Sequence, residues 1–294
     1  MAFALVIHGG AGAQPGKDYS RQQAHMAQLI AEGQKMLTGG LDAVSVVADV
    51  IAELEASGLY VAGKGSAPNT RGAFELDASI MDGAGQRAGA VAAIEGIVHP
   101  IYAARAVMED GRHVLLSGIG AREFAQSQGL GKVVVPDAYY SEHTLHGSAD
   151  SSSHGTVGAV ALDQDGNLAA GTSTGGTFNK MPGRVGDTPL IGAGTWADEF
   201  VAVSCTGIGE AFIRTAAAHD VAARMKYGGR GVGQAAHELL EEVGKCDGDG
   251  GLIAIDAKGR IAMPYNSDGM KRAAVSHEMD AVVRVFEPEP LWSE

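Results

Sequence analysis

The chain has 294 residues, 45% of them hydrophobic, with a mean hydropathy of +0.02, so it can bury a sizeable core without a disulfide or metal staple. Its formal charge of −13 argues against nucleic acid or an anionic membrane as the main partner and is compatible with small or cationic ligands. The 43 glycines follow no fixed period, which excludes a collagen-like chain and predicts many tight turns and close backbone approaches.

The segment Met1 to His8 has no basic leader and an apolar run only one strand long. No signal peptide or membrane span is expected, and the expected location is cytoplasmic. The first strand, Ala4 to Ile7, runs into His8-Gly9-Gly10-Ala11-Gly12. Two helices follow, the second with Leu41, Val44, Val47, Ala48, Ile51 and Leu54 on one face. Leu59 to Asn69 reads as a Gly-containing loop. Phe74–Met81 and Ala88–Ile94 read as paired strands, and His99-Pro100 opens a helix with Pro in its first turn. A short apolar segment, Val114–Leu116, precedes a helical stretch, Ala121–Gln128.

A linker is predicted from about Tyr140 to Gly155, because Gly147 to Ser153 holds no side chain large enough to anchor a core. Beyond it Val157, Ala159 and Ala161, then Leu168, Ala170 and Thr172, alternate around Asp165-Gly166-Asn167 as a hairpin would. A Gly/Pro-rich loop (Gly175 to Gly194) leads to a strand through Val201–Cys205 and two helices, Glu210–Tyr227 and Val232–Val243. Three strand-like segments close the chain: Leu252–Asp256, Arg260–Met263 and Ala281–Phe286. Strands come in pairs and helices in pairs, without strict β-α-β alternation. That order predicts an α+β fold in which antiparallel sheets are covered by helical layers. Cys205 and Cys246, far apart in sequence, read as reduced bystanders.

The linker meets the hairpin at Gly155-Thr156. A backbone cut there would give Thr156 both a hydroxyl nucleophile and a free α-amine with an ordinary pKa of about 7.7–8.0, which can act as its base. Thr at the start of a strand is also an ordinary β-former, so the neighbouring runs matter. Gly171-Thr172-Ser173-Thr174-Gly175-Gly176 puts hydroxyls at a strand end beside two glycines; alone, it could be only a turn. Arg184 and Asp187, three apart on a stiffened loop, can hold a carboxylate and an ammonium, or form a surface pair of little consequence. Thr206 and Gly207, between a strand and a helix, can supply oxyanion donors, or Thr206 can cap that helix. The ten histidines form no His-x-x-x-His or His-Glu-x-x-His run, so no metal hydrolase is read from them.

These runs together resemble the plant-type L-asparaginase/isoaspartyl aminopeptidase family of the N-terminal-nucleophile hydrolases. The resemblance extends from His8–Gly12 through Glu75–Gly83 and the Gly155–Ala161 junction to Gly250–Ala254. It implies a single domain, residues 1–294, folded as a four-layered αββα sandwich and cleaved by itself into subunits 1–155 and 156–294. It further implies that the cut falls between Gly155 and Thr156, that Thr156 is the nucleophile, and that Thr174 orients it. Thr206 and Gly207 would form the oxyanion hole, Arg184 and Asp187 the clamp on the substrate's α-carboxylate and α-ammonium, with Gly207 and Gly209 lining the site. The implied activity is hydrolysis of the side-chain amide or isopeptide bond of L-asparagine and β-aspartyl dipeptides, by a homodimer of αβ heterodimers and with no catalytic cofactor. The acidic balance adds an expectation of basic leaving groups, as in β-Asp-Arg or β-Asp-Lys.

Val61 departs from the family, whose members carry Asn in this run, and it removes polar support from the side chain there. The neighbouring loop (Leu54, Glu55, Ser57, Tyr60, Ala62, Lys64) resembles one that holds a structural sodium ion through main-chain carbonyls, although Lys64 brings a cation close. Two rival readings stand beside this one. A protein of the same fold that stays uncleaved would bind small molecules without catalysis. A nucleotide-dependent oxidoreductase would use His8–Gly12 as a phosphate cradle, but Pro15 stands where the third glycine belongs.

Overall fold

The computed structural model describes residues 2–140 and 155–287, so residues 141–154 of the predicted linker lie outside the described residues. Strands β1 (Ala4–Ala11), β2 (Leu76–Asp82), β3 (Arg87–Ile94), β4 (Leu115–Ser117), β5 (Val157–Leu162) and β6 (Leu168–Thr174) belong to an eight-stranded sheet. Two late strands, β11 (Met270–Ser276) and β12 (Met279–Arg284), complete it in the order β12-β11-β1-β5-β6-β2-β3-β4. The second sheet has the order β10-β9-β8-β7, from β7 (Thr195–Ala197), β8 (Val201–Gly207), β9 (Gly250–Asp256) and β10 (Ile261–Ala262). Neighbouring strands run antiparallel except β3 and β4, which are parallel.

The helices are α1 (Ser20–Thr38), α2 (Ala43–Ala56), α3 (Pro100–Asp110), α4 (Gly118–Ser127), α5 (Pro136–Tyr139), α6 (Gly209–Arg214), α7 (Ala217–Gly228) and α8 (Val232–Lys245). Side chains alternate across each strand, and the packing follows that alternation. Leu5 and Ile7 of β1 join Val47, Ile51 and Leu54 of α2 and Ile101 and Val107 of α3 in one cluster. The other face of β1, with Ala4 and Val6, meets Val160, Ala170, Ile253 and Ile255 between the two sheets. Val203 and Leu252 pack on the opposite face of the smaller sheet against Val221 of α7 and Leu239 of α8. Each large side chain buried in this way contributes about 1.5–3 kcal/mol, so the patterning alone fixes which face of each strand points where.

Local signals set the ends of the helices. Asp42 caps α2 by accepting the Ser45 N–H at 2.9 Å. That cap leaves Leu41 outside the helix and exposed, a correction to the predicted stripe. Pro100 starts α3, and Gly111 ends it at φ +71°. The predicted helix Glu210–Tyr227 is two helices, broken where the Thr215 hydroxyl bonds back to the Ala211 carbonyl and Ala216 takes φ +48°. Strands β7 and β11 were not predicted. In β11 the adjacent Lys271 and Arg272 hide the alternation, yet both are buried. Arg272 donates to the carbonyls of Met270 and Val285 and lies 4.7 Å from the centre of the Tyr265 ring. Among the described residues no helix is long and apolar enough to cross a membrane.

Candidate active site

The register of the larger sheet assembles the site. Val157 pairs with Ser173, so Thr156, just before β5, stands beside Thr174 at the end of β6. Asp77 of β2 pairs with Thr174 from the other side. The Thr156 hydroxyl donates to Thr174 Oγ1 at 3.2 Å, and Thr174 Oγ1 also accepts the Gly176 N–H at 3.0 Å. Thr156 is buried. A narrow cleft is lined by Gly155, Thr156, Thr174, Gly176, Thr177, Arg184, Gly186, Asp187, Thr188 and Gly207. The structure thus brings together most of the residues singled out in the sequence.

The cleft owes its shape to missing side chains. Gly207 sits at φ +153°, and a Cβ there would strike the main chain of Asp249 and Gly250. A Cβ on Gly186 would come within 2.9 Å of Arg184 Nη1, and one on Gly209 within 3.1 Å of Nη2 and 2.9 Å of Asp187 Oδ1. The two glycines therefore leave room for the guanidinium and the carboxylate side by side. At Gly155 the space for a side chain is filled by Val61 Cβ, Cγ2 and N, and the Val61 carbonyl accepts the Gly175 N–H at 2.7 Å. Val61 is thus in contact with the junction itself.

The charges in the site are unequal in their partners. Arg184 is not free: Nε donates to Glu210 Oε1 at 2.9 Å and Nη2 to Glu210 Oε2 at 2.8 Å, a bidentate pair with an exposed carboxylate. Asp187 is buried, and its Oδ2 has no hydrogen-bond partner. Burial pushes its carboxyl up to about 7, against the pull of nearby Arg184. A cation arriving in the cleft would supply what Asp187 lacks. Deeper, Asp77 accepts the Ala93 N–H at 2.7 Å and is pushed up to about 6 by burial, opposed chiefly by Lys180. The Lys180 ammonium donates to the Glu75 carbonyl.

Thr206 lies outside the cleft lining: it is fully buried, and its Oγ1 accepts the Ala11 N–H at 3.2 Å. It does not cap α6, whose cap position is Ile208. Sequence reasoning missed Glu210 as the partner of Arg184, and Asp77 and Lys180 beneath the cleft. The alternation of Glu75 and Asp77 along a strand, putting two acids on one face, was the available signal.

In the predicted sodium loop, the Leu54 carbonyl accepts the Ser57 hydroxyl at 2.8 Å and the Ala62 carbonyl accepts the Gly65 N–H at 3.0 Å. The carbonyl oxygens of Glu55, Gly58 and Tyr60 crowd the spaces where Gly63 and Gly65 lack side chains. Lys64 is exposed and directed away from the core. Among the described residues no group of three or more His, Cys, Asp or Glu side chains could hold a metal ion.

A sequence model of the family described as asparaginase matches residues 1–146 and 136–284. The chain is 45% identical to an isoaspartyl peptidase of Salmonella typhimurium, over 92% of this chain and 94% of the relative. It is 42% identical to a plant-type L-asparaginase of Pyrobaculum calidifontis (91% and 95% covered) and 39% identical to an isoaspartyl peptidase/L-asparaginase of Mus musculus (94% and 89%). Matches of this extent make the chain a member of this asparaginase family.

Proposed function

We propose that the protein is an isoaspartyl peptidase/L-asparaginase that activates itself by cutting before Thr156. The observation that carries the reading is the Thr156–Thr174 hydroxyl pair at 3.2 Å, set at a Gly155-Thr156 junction that itself lines a cleft with an unpartnered buried carboxylate. In the intact chain Thr156 Oγ attacks the Gly155 carbonyl. The peptide nitrogen leaves to become the Thr156 α-amine, and water hydrolyses the resulting ester. In the mature enzyme the α-amine takes the Thr156 hydroxyl proton as Oγ attacks the side-chain carbonyl of the aspartyl unit. The proton passes to the departing ammonia or amino acid. Water then cleaves the β-aspartyl-Thr156 ester and releases L-aspartate.

Thr174 orients the nucleophile, Arg184 takes the substrate α-carboxylate through its Nη1/Nη2 edge, and Asp187 takes the α-ammonium. Gly207 at the cleft wall holds the oxyanion together with the adjacent Thr206, whose Oγ1 accepts the Ala11 N–H and keeps its own proton to donate, and Gly209 clears the space beside the clamp. The chemistry runs entirely on side chains and the new terminus, with no cofactor. A sodium ion bound in the 54–64 loop would be held by main-chain carbonyl oxygens, hard ligands suited to such an ion, and would have a structural part only. The three clusters of core residues support a four-layered αββα arrangement. A single domain, the pairing of two αβ heterodimers, and a cytoplasmic location complete the reading.

The test is a time course of intact mass and denaturing gel on the purified protein. Two fragments meeting at Gly155/Thr156, absent in Thr156→Ala, together with release of L-aspartate from β-aspartyl dipeptides, is the expected result. A 30.1 kDa chain that stays whole and hydrolyses no β-aspartyl substrate would refute the reading and leave a binding protein.

A further inference from the structure

Most of the space between the two sheets is filled by Ala, Val, Ile and Leu side chains. At the cleft end it is not. His8 Nε2 lies 3.0 Å from Ser204 Oγ, Ser204 Oγ 2.7 Å from Thr172 Oγ1, and Thr172 Oγ1 2.6 Å from Thr195 Oγ1. Ser79 Oγ continues the series, 2.7 Å from Thr195 Oγ1, and donates to the Thr188 main-chain carbonyl at 2.6 Å. Thr172 also reaches the Gly194 carbonyl at 3.1 Å. All five side chains are completely buried.

Such a chain is costly to keep. Each hydroxyl gives up water for two or three hydrogen-bonding contacts, and breaking any link leaves its neighbours short of a partner. Apolar residues fill the same gap elsewhere between these sheets, so packing alone does not call for it. Its course is what distinguishes it. It crosses β1, β8, β6, β7 and β2 in turn, linking both sheets, and it begins and ends at the two halves of the site. At one end His8 is paired in register with Gly158, two residues past Thr156. Gly158 has no side chain because His8 Nε2 and Ser204 Oγ occupy the place of its Cβ. At the other end Thr188 follows Asp187 and lines the cleft.

We propose that this buried chain of side chains fixes the Asp187–Thr188 loop at a set distance from the strand that carries Thr156, making Thr172, its branch point, a positioning residue for substrate binding. The inference rests on the functional reading above. His8 is held neutral, its imidazole pushed down to about 3 by burial, which keeps a bare charge out of this dry interior.

The experiment is steady-state hydrolysis of β-aspartyl-leucine by Thr172→Val, which keeps the shape and removes the hydroxyl, and by Thr172→Ser, which keeps the hydroxyl and removes a methyl. Thr172→Val is expected to raise KM about fivefold or more, the loss of one net hydrogen bond, with kcat changed less than about twofold. Thr172→Ser is expected to return KM close to that of the parent. Ser79→Ala removes the last link and should act in the same direction, so it carries the test if Thr172→Val does not fold. A loss of kcat with KM unchanged, or equal impairment of the Val and Ser variants, would overturn the proposal. A parent protein that itself fails to hydrolyse the dipeptide would refute the functional reading, a result distinct from an active parent whose variants are unaffected.

Discussion

The buried, half-unpartnered carboxyl of Asp187 leads to a pH dependence with a definite sign. Its pKa of about 7 in the folded chain stands some three units above the ordinary 3.8. At about 1.4 kcal/mol per unit, the ionised form costs the free protein on the order of 4 kcal/mol. The folded state binds this proton more tightly than the unfolded state does. The group's contribution to stability is therefore greatest below the unfolded pKa, falls as pH rises through about 7, and is least above it. A substrate ammonium reverses the balance, because it supplies the missing partner and draws the bound-state pKa down. The free enzyme must then give up this proton to bind substrate, so kcat/KM should fall about tenfold per pH unit below about 7. In kcat that limb should be absent, since bound substrate already holds Asp187 ionised. The Thr156 α-amine would titrate in both parameters, which separates the two groups. The assay is initial-rate hydrolysis of a β-aspartyl dipeptide from about pH 5 to 8, with Asp187→Asn for comparison. A kcat/KM that stays flat over that range, or an Asn variant that keeps its affinity for L-aspartate, would refute the argument.

Four further outcomes are expected. Glu210→Gln should raise KM about three- to tenfold with kcat held, because Arg184 loses its charged brace; its melting temperature should hardly move, since the Glu210 carboxylate is exposed. Gly155→Ala should slow self-cleavage at least about tenfold on a denaturing gel, because the new methyl meets Val61, and adding Val61→Ala should recover part of the rate. Thr206→Ala should cut kcat by about 10²–10³, the loss of one oxyanion donor. The same change should also destabilise the chain by about 1 kcal/mol in a denaturant melt, because the Ala11 N–H loses its acceptor. Dialysis from sodium into a choline buffer should lower the melting temperature and leave kcat unchanged, with sodium restoring it.

Much of the site was legible because its chemistry is local in sequence. Gly155-Thr156 and the Arg184/Asp187 pair are each ambiguous alone, and only their order along the chain, with the Thr172–Gly176 and Thr206-Gly207 runs, pointed to one site. The hairpin that brings Thr156 to Thr174 was legible for the same reason, since a short turn fixes its register. Strand β11 was not. Its alternation is broken by Lys271 and Arg272, which find partners far along the chain: Arg272 the Val285 carbonyl just after β12 and the Tyr265 ring after β10, Lys271 the Tyr19 ring at 5.5 Å. The break between α6 and α7 escaped because Ala216, a strong helix former, takes a left-handed conformation that only tertiary packing imposes.

What the sequence hid has a common physical form: a polar group whose partner lies far away along the chain. His8 meets Ser204 across 196 positions and Ala11 meets Thr206 across 195, and neither pairing leaves a periodic trace. Such contacts leave a different mark, a small residue where the partner needs room. Gly158 is that mark for His8 and Ser204, and Gly209 for Arg184 and Asp187. Glycines inside strands and at helix starts weaken those elements, so each must be repaid by something that occupies its space. The glycine abundance that at first signalled only tight turns therefore also maps where the two sheets and the clamp loop press polar groups against the backbone. The carboxyl of Asp187 and the hydroxyl of Thr156 face one cleft because those spaces are filled by partners and not by side chains of their own.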